Sequence, residues 1–189
     1  MILDLSKDGK FVAVSAFKTP PGKDPLEILR DVRTAFPDVD IQFFDGRRIA
    51  GKEHLEIAAI NALQAFKAGI NIARSRAMEA LLYASAQRQI DVAISRLGVT
   101  RDSKIVGLVA FSDTRDCVEV IEHRIIESLG TKTNEALLDE WSESKAREIM
   151  HLYGIEPSEL EAIKMPNQEI NGAIRKAVIE RVALLSTGT

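Results

Sequence analysis

The sequence predicts a single α+β domain in which several helices pack on a small, mainly antiparallel sheet. Short runs with the alternation of strands lie among longer apolar runs with helical spacing, and 46% of the 189 residues are hydrophobic. A chain of this length and composition can bury a sizeable core without disulfides or metals. No linker, internal repeat or low-complexity stretch divides it, so we predict one domain over residues 1–189.

The first elements are a hairpin and a helix. Residues 1–5 and 10–18 have strand character, and the Asp8-Gly9 pair between them favours the positive φ of a hairpin turn. A helix should follow, with Asp24 as its N-cap, Pro25 in its first turn and Glu27 completing a capping box. Pro37 should end that helix.

Two further strands are predicted from apolar patterns. Val39, Ile41 and Phe43 alternate with polar residues, which indicates a strand with one buried face. Residues 105–111 are apolar on both sides of the strand, so this segment should lie centrally in the sheet with both faces covered.

The remaining segments have helical periodicity. Residues 52–68 carry one apolar helical face and Gly69 can adopt the left-handed cap, while Ile57 and Ile60 form a second edge that indicates a second neighbour or a partner. Residues 73–97 predict two short helices or one kinked helix. Further helices are expected at 116–129, which Gly130 should end, and at 134–153, 156–163 and 167–186, with Pro157 and Pro166 near the starts of the last two.

The charges are distributed unevenly. Residues 46–104 contain ten Lys and Arg against five Asp and Glu, a net +5, whereas residues 1–45 sum to −2 and residues 105–189 to −6. This asymmetry favours a contact between the middle segment and a nucleic acid or another phosphate.

Several classes of chemistry lack their motifs. No glycine-rich loop follows a strand to hold phosphate, the three histidines are far apart in sequence, and Cys117 is the single cysteine. We therefore expect no cofactor, no metal and no catalytic centre. One cysteine fits a reducing compartment, which predicts a cytoplasmic protein, and no apolar run approaches the roughly twenty residues that would cross a membrane.

Two motifs in the basic segment are not required by core packing. Gly51-Lys-Glu-His-Leu55 opens a helix, and Gln87-Arg-Gln-Ile90 follows an apolar one. His54 is expected in the first turn beside Lys52, where free backbone amides and the positive end of the helix dipole attract anions. A phosphate or a terminal ribose could be held there.

With these two motifs at this spacing, the chain resembles the smallest subunit family of the KEOPS complex, also called the p53-related-kinase-binding protein family. The resemblance covers residues 43–111, with a looser similarity at 159–161 and 174–185. It implies a small α/β protein without a catalytic centre that binds and stimulates the kinase-like ATPase subunit of KEOPS. Archaeal members also capture the 3′ CCA end of tRNA, and the complex attaches a threonylcarbamoyl group to the adenosine beside the anticodon.

The resemblance and the charge pattern together suggest two sets of site residues. Arg88 and Gln89 could instead brace the helix junction, and each apolar position could instead belong to the core. The tRNA-binding set is Lys52, His54, Lys67, Arg74, Arg76, Arg88 and Gln89, and the kinase-binding set is Met78, Leu81, Leu82, Ile90, Ile94, Val178 and Val182.

Two departures from the family pattern carry their own expectations. Ala86 stands where many relatives are expected to have glycine, which predicts a slightly more helical junction. The acidic segment 134–153 looks longer than the usual connection and is expected to be a solvated helical face, which leaves the number of further partners open.

Two other functions fit the same residues. A free-standing enzyme could bind a small anionic substrate through His54 and the Arg47-Arg48 pair. A homo-oligomeric structural protein could join copies through the second apolar edges of its helices.

Overall fold

The sheet lies between two layers of helices. The computed structural model describes residues 2–5, 10–164 and 169–185. Its strands are β1 (Ile2–Leu5), β2 (Lys10–Lys18), β3 (Asp40–Asp45) and β4 (Ile105–Ser112), in the order β1-β2-β4-β3, and each neighbouring pair is antiparallel. This confirms the α+β class, the opening hairpin and the central position of β4. The predicted Asp8-Gly9 turn lies outside the described residues.

The helices divide between the two faces of the sheet. Helices α1 (Pro25–Ala35) and α5 (Arg115–Leu129) pack on one face, where their aliphatic side chains meet Phe17 and Phe43. The other face is covered by α2 (Lys52–Ala68), α3 (Arg76–Ser85), α4 (Ile90–Leu97), α6 (Glu143–Tyr153), α7 (Pro157–Ile163) and α8 (Ile170–Leu185). The result is a three-layer arrangement with the sheet in the middle.

The prediction that β3 has one buried face is wrong. Residues 41–45 are all buried, because helices cover both sides of this edge strand. The polar members are accommodated by hydrogen bonds: the Gln42 amide donates to the Phe43 carbonyl and accepts from Arg33, and the Asp45 carboxylate accepts from Ser103. In this strand, the alternation of polar and apolar residues therefore does not indicate which side chains are exposed to solvent.

Several predicted helix boundaries are confirmed. The Asp24 carboxylate accepts from the Leu26 amide at 2.9 Å and Pro25 begins α1. Gly69 ends α2 with a φ of 68°, and Gly130 ends α5 with a φ of 65°. Pro157 begins α7, whereas Pro166 lies outside the described residues.

The segment 134–153 is not one helix. A 3-10 helix, Glu135–Asp139, is followed by extended residues, and α6 begins only after Ser142, whose hydroxyl accepts from the Lys145 amide. Two of its carboxylates are paired with cations from elsewhere in the chain: Asp139 with Arg175 and Glu148 with Arg48, each at 2.8 Å. The segment is therefore partly integrated into the fold and is not a uniformly solvated face.

The junction between α3 and α4 is a left-handed turn. Ala86 has a φ of 51°, its amide donates to the Tyr83 carbonyl, and the Gln87 amide donates to the Leu82 carbonyl. This is the hydrogen-bond pattern of a Schellman cap. The expectation of a more helical junction is wrong, because the alanine adopts the glycine conformation and α3 and α4 remain separate helices.

The substitution Ala86→Gly should raise the free energy of unfolding by about 1 kcal/mol. A left-handed conformation costs an L-residue about 1–2 kcal/mol, which exceeds the extra entropy that glycine loses on folding. Urea unfolding of the two proteins measures the difference. The matched change Ala162→Gly, at an exposed helical site in α7, should act in the opposite direction. Equal destabilisation by both would show that Ala86 is not strained.

None of the helices in the described residues combines the length and the apolar character that crossing a bilayer requires.

Candidate nucleic-acid and kinase interface

His54 lies inside the protein, where it joins three helices. Its side chain is 0% exposed, Nδ1 accepts from the Ala50 amide at 3.2 Å, and Nε2 lies 2.8 Å from the Ala84 carbonyl oxygen, to which it donates. The Tyr153 hydroxyl donates to the same carbonyl at 2.7 Å and its ring meets the imidazole edge to face. The start of α2, the end of α3 and the end of α6 are thereby held together.

Burial makes His54 a neutral residue. Desolvation lowers its pKa from 6.5 to about 4, although the bond to Ala84 acts in the opposite direction. A neutral imidazole with no exposed surface cannot contact RNA, so the prediction that His54 binds tRNA is wrong. Because it bonds the carbonyl of Ala84, two residues before the left-handed Ala86, His54 supports the junction that leads to Arg88 and Gln89.

The amino end of α2 is already occupied by a carboxylate of the protein. Gly51 has a φ of 112°, and a β-carbon there would lie 2.6 Å from an Asp139 oxygen and 2.8 Å from the Arg175 side chain. The close approach lets Asp139 accept from the Lys52 amide at 3.4 Å, while Arg175 donates to the Ala50 carbonyl at 2.9 Å. The expected phosphate or ribose site at this helix start is therefore not available.

The predicted RNA-binding cations form two groups. The contact of His54 with Ala84 shows that α2 and α3 run antiparallel, so Lys52, Arg88 and Gln89 lie near one end of the pair. Lys67, Arg74 and Arg76 lie at the other end. Seventeen residues of α2 separate the groups by about 25 Å. A short single-stranded segment of RNA therefore cannot be centred on both groups of cations.

The second group surrounds a loop that a buried carboxylate organises. Glu79 is 2% exposed and accepts from the amides of Ile72 and Ala73 at 2.9 and 2.6 Å. Burial raises the pKa of this carboxyl group. Arg76 pairs with Asp40 and lies over the Phe66 ring, whereas Arg74 is exposed beside the loop.

One member of the first group, Arg88, lines a cleft that the sequence did not predict. Four chain segments meet there: the α3–α4 junction, the end of α4, the end of α6 and the end of α8. The cavity measures about 560 Å³ and is open to solvent. We call it the junction cleft; the residues that matter for its chemistry are Arg88, Arg96, His151, Arg181, Leu184 and Leu185.

Arg88 is held at the cleft by a helix end. Its side chain is exposed, and one of its terminal nitrogens donates to the Leu185 carbonyl at 3.3 Å. Across the cleft, Arg181 donates to both oxygens of Glu159 at 2.8 Å. Arg88 therefore braces a helix end, and because its guanidinium still faces solvent, the RNA contact stays a prediction.

Most of the predicted kinase-binding set belongs to the core. Leu81, Leu82, Val178 and Val182 are 0% exposed and pack in the larger apolar cluster, and Met78 is half-buried against it. Those four residues cannot form an external surface in this fold. Ile90 and Ile94 are 38% and 45% exposed and lie one turn apart on α4. We call these two residues the α4 strip.

The residues proposed for an enzymatic anion site do not converge. His54 is buried, and Arg48 donates to Glu148 and to the carbonyls of Ser95 and Arg96. Among the described residues, no group of three or more His, Cys, Asp or Glu is placed to hold a metal ion. Cys117 is exposed on α5.

The fold and its exposed helical surface are those of a small α+β binding module. The chain belongs to the family described as Kinase binding protein CGI-121, whose model matches residues 23–186. The match runs from the start of α1 to the end of α8, well beyond the segment on which the sequence resemblance rests. No curated protein matches the chain significantly.

Proposed function

We propose that this protein is a non-catalytic, cytoplasmic subunit of the KEOPS complex, which makes threonylcarbamoyladenosine in tRNA. In this role it binds and stimulates the kinase-like ATPase subunit and recruits tRNA through the 3′ CCA end, without a metal or cofactor. The observation that carries the proposal is the family match, because it makes the chain a kinase-binding protein. The Gln87–Ile90 motif, which underlies the resemblance to KEOPS subunits, also borders the junction cleft.

The junction cleft has the groups that a single-stranded 3′ end needs. Arg88 and Arg96 can pair with phosphates, and Leu184 and His151 offer an apolar surface and a ring against which bases can stack. Its volume falls in the range of about 300–1,000 Å³ found for ligand pockets. Gln89 is exposed at the same turn and can hydrogen-bond a base.

The α4 strip is the best surface for the kinase-like subunit. Ile90 and Ile94 are large apolar side chains left exposed on a helix whose opposite face is buried through Ala93 and Leu97. Two apolar side chains at i and i+4 are a common way for a helix to enter a partner's groove. Since α4 begins directly after Gln89, kinase and RNA would bind to adjacent surfaces.

The substitution Arg88→Glu tests the RNA half of the proposal. It should weaken binding of intact tRNA by at least about tenfold, because a phosphate contact is lost and a repulsive charge is introduced. Gel shifts with intact tRNA and with tRNA trimmed of its CCA end measure the effect. Trimming should weaken the wild type similarly and add little to the variant.

The control is Lys132→Glu, which makes the same kind of charge reversal at an exposed lysine outside the cleft. It should leave the preference for intact tRNA unchanged. Equal affinity of the wild type for intact and trimmed tRNA would exclude recognition of the 3′ end, whatever the variants do.

A further inference from the structure

A second cationic surface lies away from both the junction cleft and the α4 strip. The loop between β2 and α1 and the loop between α4 and β4 enclose a cavity of about 650 Å³. Four cations border it, namely Lys18, Lys23, Arg101 and Lys104, against one carboxylate, Asp102. We call it the two-loop pocket. Lys18 and Lys23 come from the acidic first quarter of the sequence, so the charge pattern of the chain does not reveal it.

The two loops are joined to each other by a backbone hydrogen bond. The Thr19 amide donates to the Lys104 carbonyl at 2.9 Å, and the Lys23 amide donates to the Pro20 carbonyl across a Pro-Pro-Gly turn in which Gly22 has a φ of 81°. Such a turn restrains the backbone that carries the lysines, so less backbone entropy is lost on binding.

The second loop is fixed at both of its ends. The Ser103 hydroxyl accepts from the Thr100 amide and donates to the buried Asp45 carboxylate. Arg101 pairs at 3.0 Å with Asp24, which also caps α1. The loop that carries Arg101 and Lys104 is thereby tied to the loop that carries Lys18 and Lys23.

The lysines of this pocket are not engaged by acidic side chains. Within the described ranges 10–164 and 169–185, no carboxylate lies within ion-pair distance of Lys18, Lys23 or Lys104, and all three are exposed. Arg101 alone is paired, and a surface ion pair of this kind is weak. The pocket therefore presents a net positive charge on a concave surface.

The composition of the pocket indicates which polyanion it fits. None of its lining residues in the described part of the chain is aromatic, and its apolar surface comes from prolines and Ile105. Recognition of single-stranded bases relies on stacking platforms, whereas a duplex presents mainly phosphates. Cations without stacking groups thus favour the backbone of double-stranded RNA.

We infer that the two-loop pocket binds the phosphate backbone of the duplex adjacent to a 3′ single-stranded end. This inference rests on the proposed binding of tRNA and extends it from the end of the RNA to its stem. Helix α4, about 12 Å long, connects the turn that carries Arg88 to the loop that carries Arg101. One RNA that spans this distance would place its terminal nucleotides in the junction cleft and the phosphates of its stem at the two-loop pocket.

The test uses the full chain carrying Lys18→Glu and Lys104→Glu together. Three labelled probes separate binding of the RNA stem from binding of the 3′ end. They are an RNA hairpin ending in CCA, the same hairpin trimmed of CCA, and a single-stranded oligonucleotide ending in CCA. The double variant should bind both hairpins at least about tenfold more weakly and reduce the slope of log affinity against log salt by about 2. The affinity for the single-stranded probe should not change.

A matched control variant, Lys132→Glu with Lys176→Glu, has the same net charge as the first double variant, but both of its changes lie outside the pocket. It should bind the hairpins as tightly as the wild type does. If the double variant does not fold, Lys23→Glu alone should weaken the hairpins without affecting the single-stranded probe. Unchanged hairpin binding, or equal loss for all probes and for the matched variant, would overturn the inference. Displacement of the hairpin by inorganic phosphate at constant ionic strength would instead assign the pocket to a free phosphate.

The outcomes distinguish this inference from the proposed function. Loss of CCA dependence in the wild type would remove the 3′-end proposal while leaving the hairpin comparison intact. Failure of the inference would leave the CCA dependence untouched, because the single-stranded probe reports on the junction cleft alone.

Discussion

Replacing Ile90 and Ile94 together with glutamate is expected to weaken binding of the kinase-like subunit by about 1,000-fold. The two side chains are exposed in the free protein, and each would be buried at the interface, where a central apolar contact is worth about 2 kcal/mol or more. Glutamate removes the apolar contact and adds the cost of burying a charge. Titration of the purified kinase-like subunit against both proteins, by calorimetry or interferometry, measures the ratio of dissociation constants.

The control for this experiment is Val120→Glu. Val120 is 52% exposed on α5, in the helical layer on the other side of the sheet, and should tolerate the change without loss of kinase binding. The melting temperature of the double variant should stay close to that of the wild type, since neither isoleucine is in the core clusters. Normal kinase binding by a folded double variant would move the interface away from α4.

A variant that no longer binds the kinase should still bind RNA in the cleft. Ile90 and Ile94 do not line the junction cleft, so the gel shift with intact tRNA should be unchanged. Loss of both activities would mean that α4 itself had been displaced. The two assays together therefore separate a docking defect from a local folding defect.

Local sequence patterns predicted the elements of this fold because caps and periodicity act over a few residues. Asp24 and Pro25 mark the start of α1, Gly69 and Gly130 mark the ends of α2 and α5, and the apolar run of β4 marks the centre of the sheet. The helix caps depend on local backbone preferences that distant residues do not override. The apolar run of β4 reflects the burial of both faces of the strand.

The failures occur where distant contacts decide the local structure. Ala86 takes a left-handed conformation that its own preference disfavours, because α3 and α4 must both cover the sheet. Asp139 lies between Arg175 of α8 and the start of α2, which breaks the acidic segment before α6. Neither partner is close in sequence, so no local pattern could indicate the contact.

The candidate site was harder to predict than the fold. Leu82 and Ile94 both recur at helical spacing, yet one is fully buried and the other is 45% exposed. Periodicity identifies an apolar face but cannot say whether a second element covers it. Arg88 was found because it lies in a motif, whereas Arg181 and Leu184 reach the same cleft only through the packing of α8.

The geometry of the Gly51–Leu55 motif gives it a structural role in place of the predicted anion-binding role. Gly51 allows Asp139 and Arg175 to approach, and His54 reaches the carbonyl that precedes the junction. The first motif therefore positions the second, and the exposed residues proposed to contact partners, Arg88, Gln89 and Ile90, lie in the second. A substitution at His54 should affect RNA binding through stability and junction geometry, not through a lost contact.

Acidification from pH 7 to pH 4 is expected to remove about 3 kcal/mol of unfolding free energy through His54 alone. The unfolded chain binds a proton at this residue near its ordinary pKa of 6.5, whereas the folded protein resists protonation until its pKa of about 4. Below pH 6.5 the unfolded state is therefore stabilised progressively, and each pH unit between the two pKa values contributes about 1.4 kcal/mol. The contribution is complete above pH 6.5 and lost as the pH falls to 4.

The variant His54→Gln isolates this effect, because its amide nitrogen can still donate to the Ala84 carbonyl but does not titrate. The variant should be less stable at pH 7, since the Ala50 amide loses its acceptor. Its advantage should appear on acidification: the difference in unfolding free energy between the two proteins should shrink by about 3 kcal/mol between pH 7 and pH 4.

Other titrating groups do not obscure this difference. Carboxylates elsewhere titrate equally in both proteins and cancel. The Tyr153 hydroxyl beside His54 has a pKa that burial raises, so it stays protonated throughout. Parallel loss of stability in urea titrations at each pH would show that folding does not lower the pKa of His54, and the prediction would then be wrong.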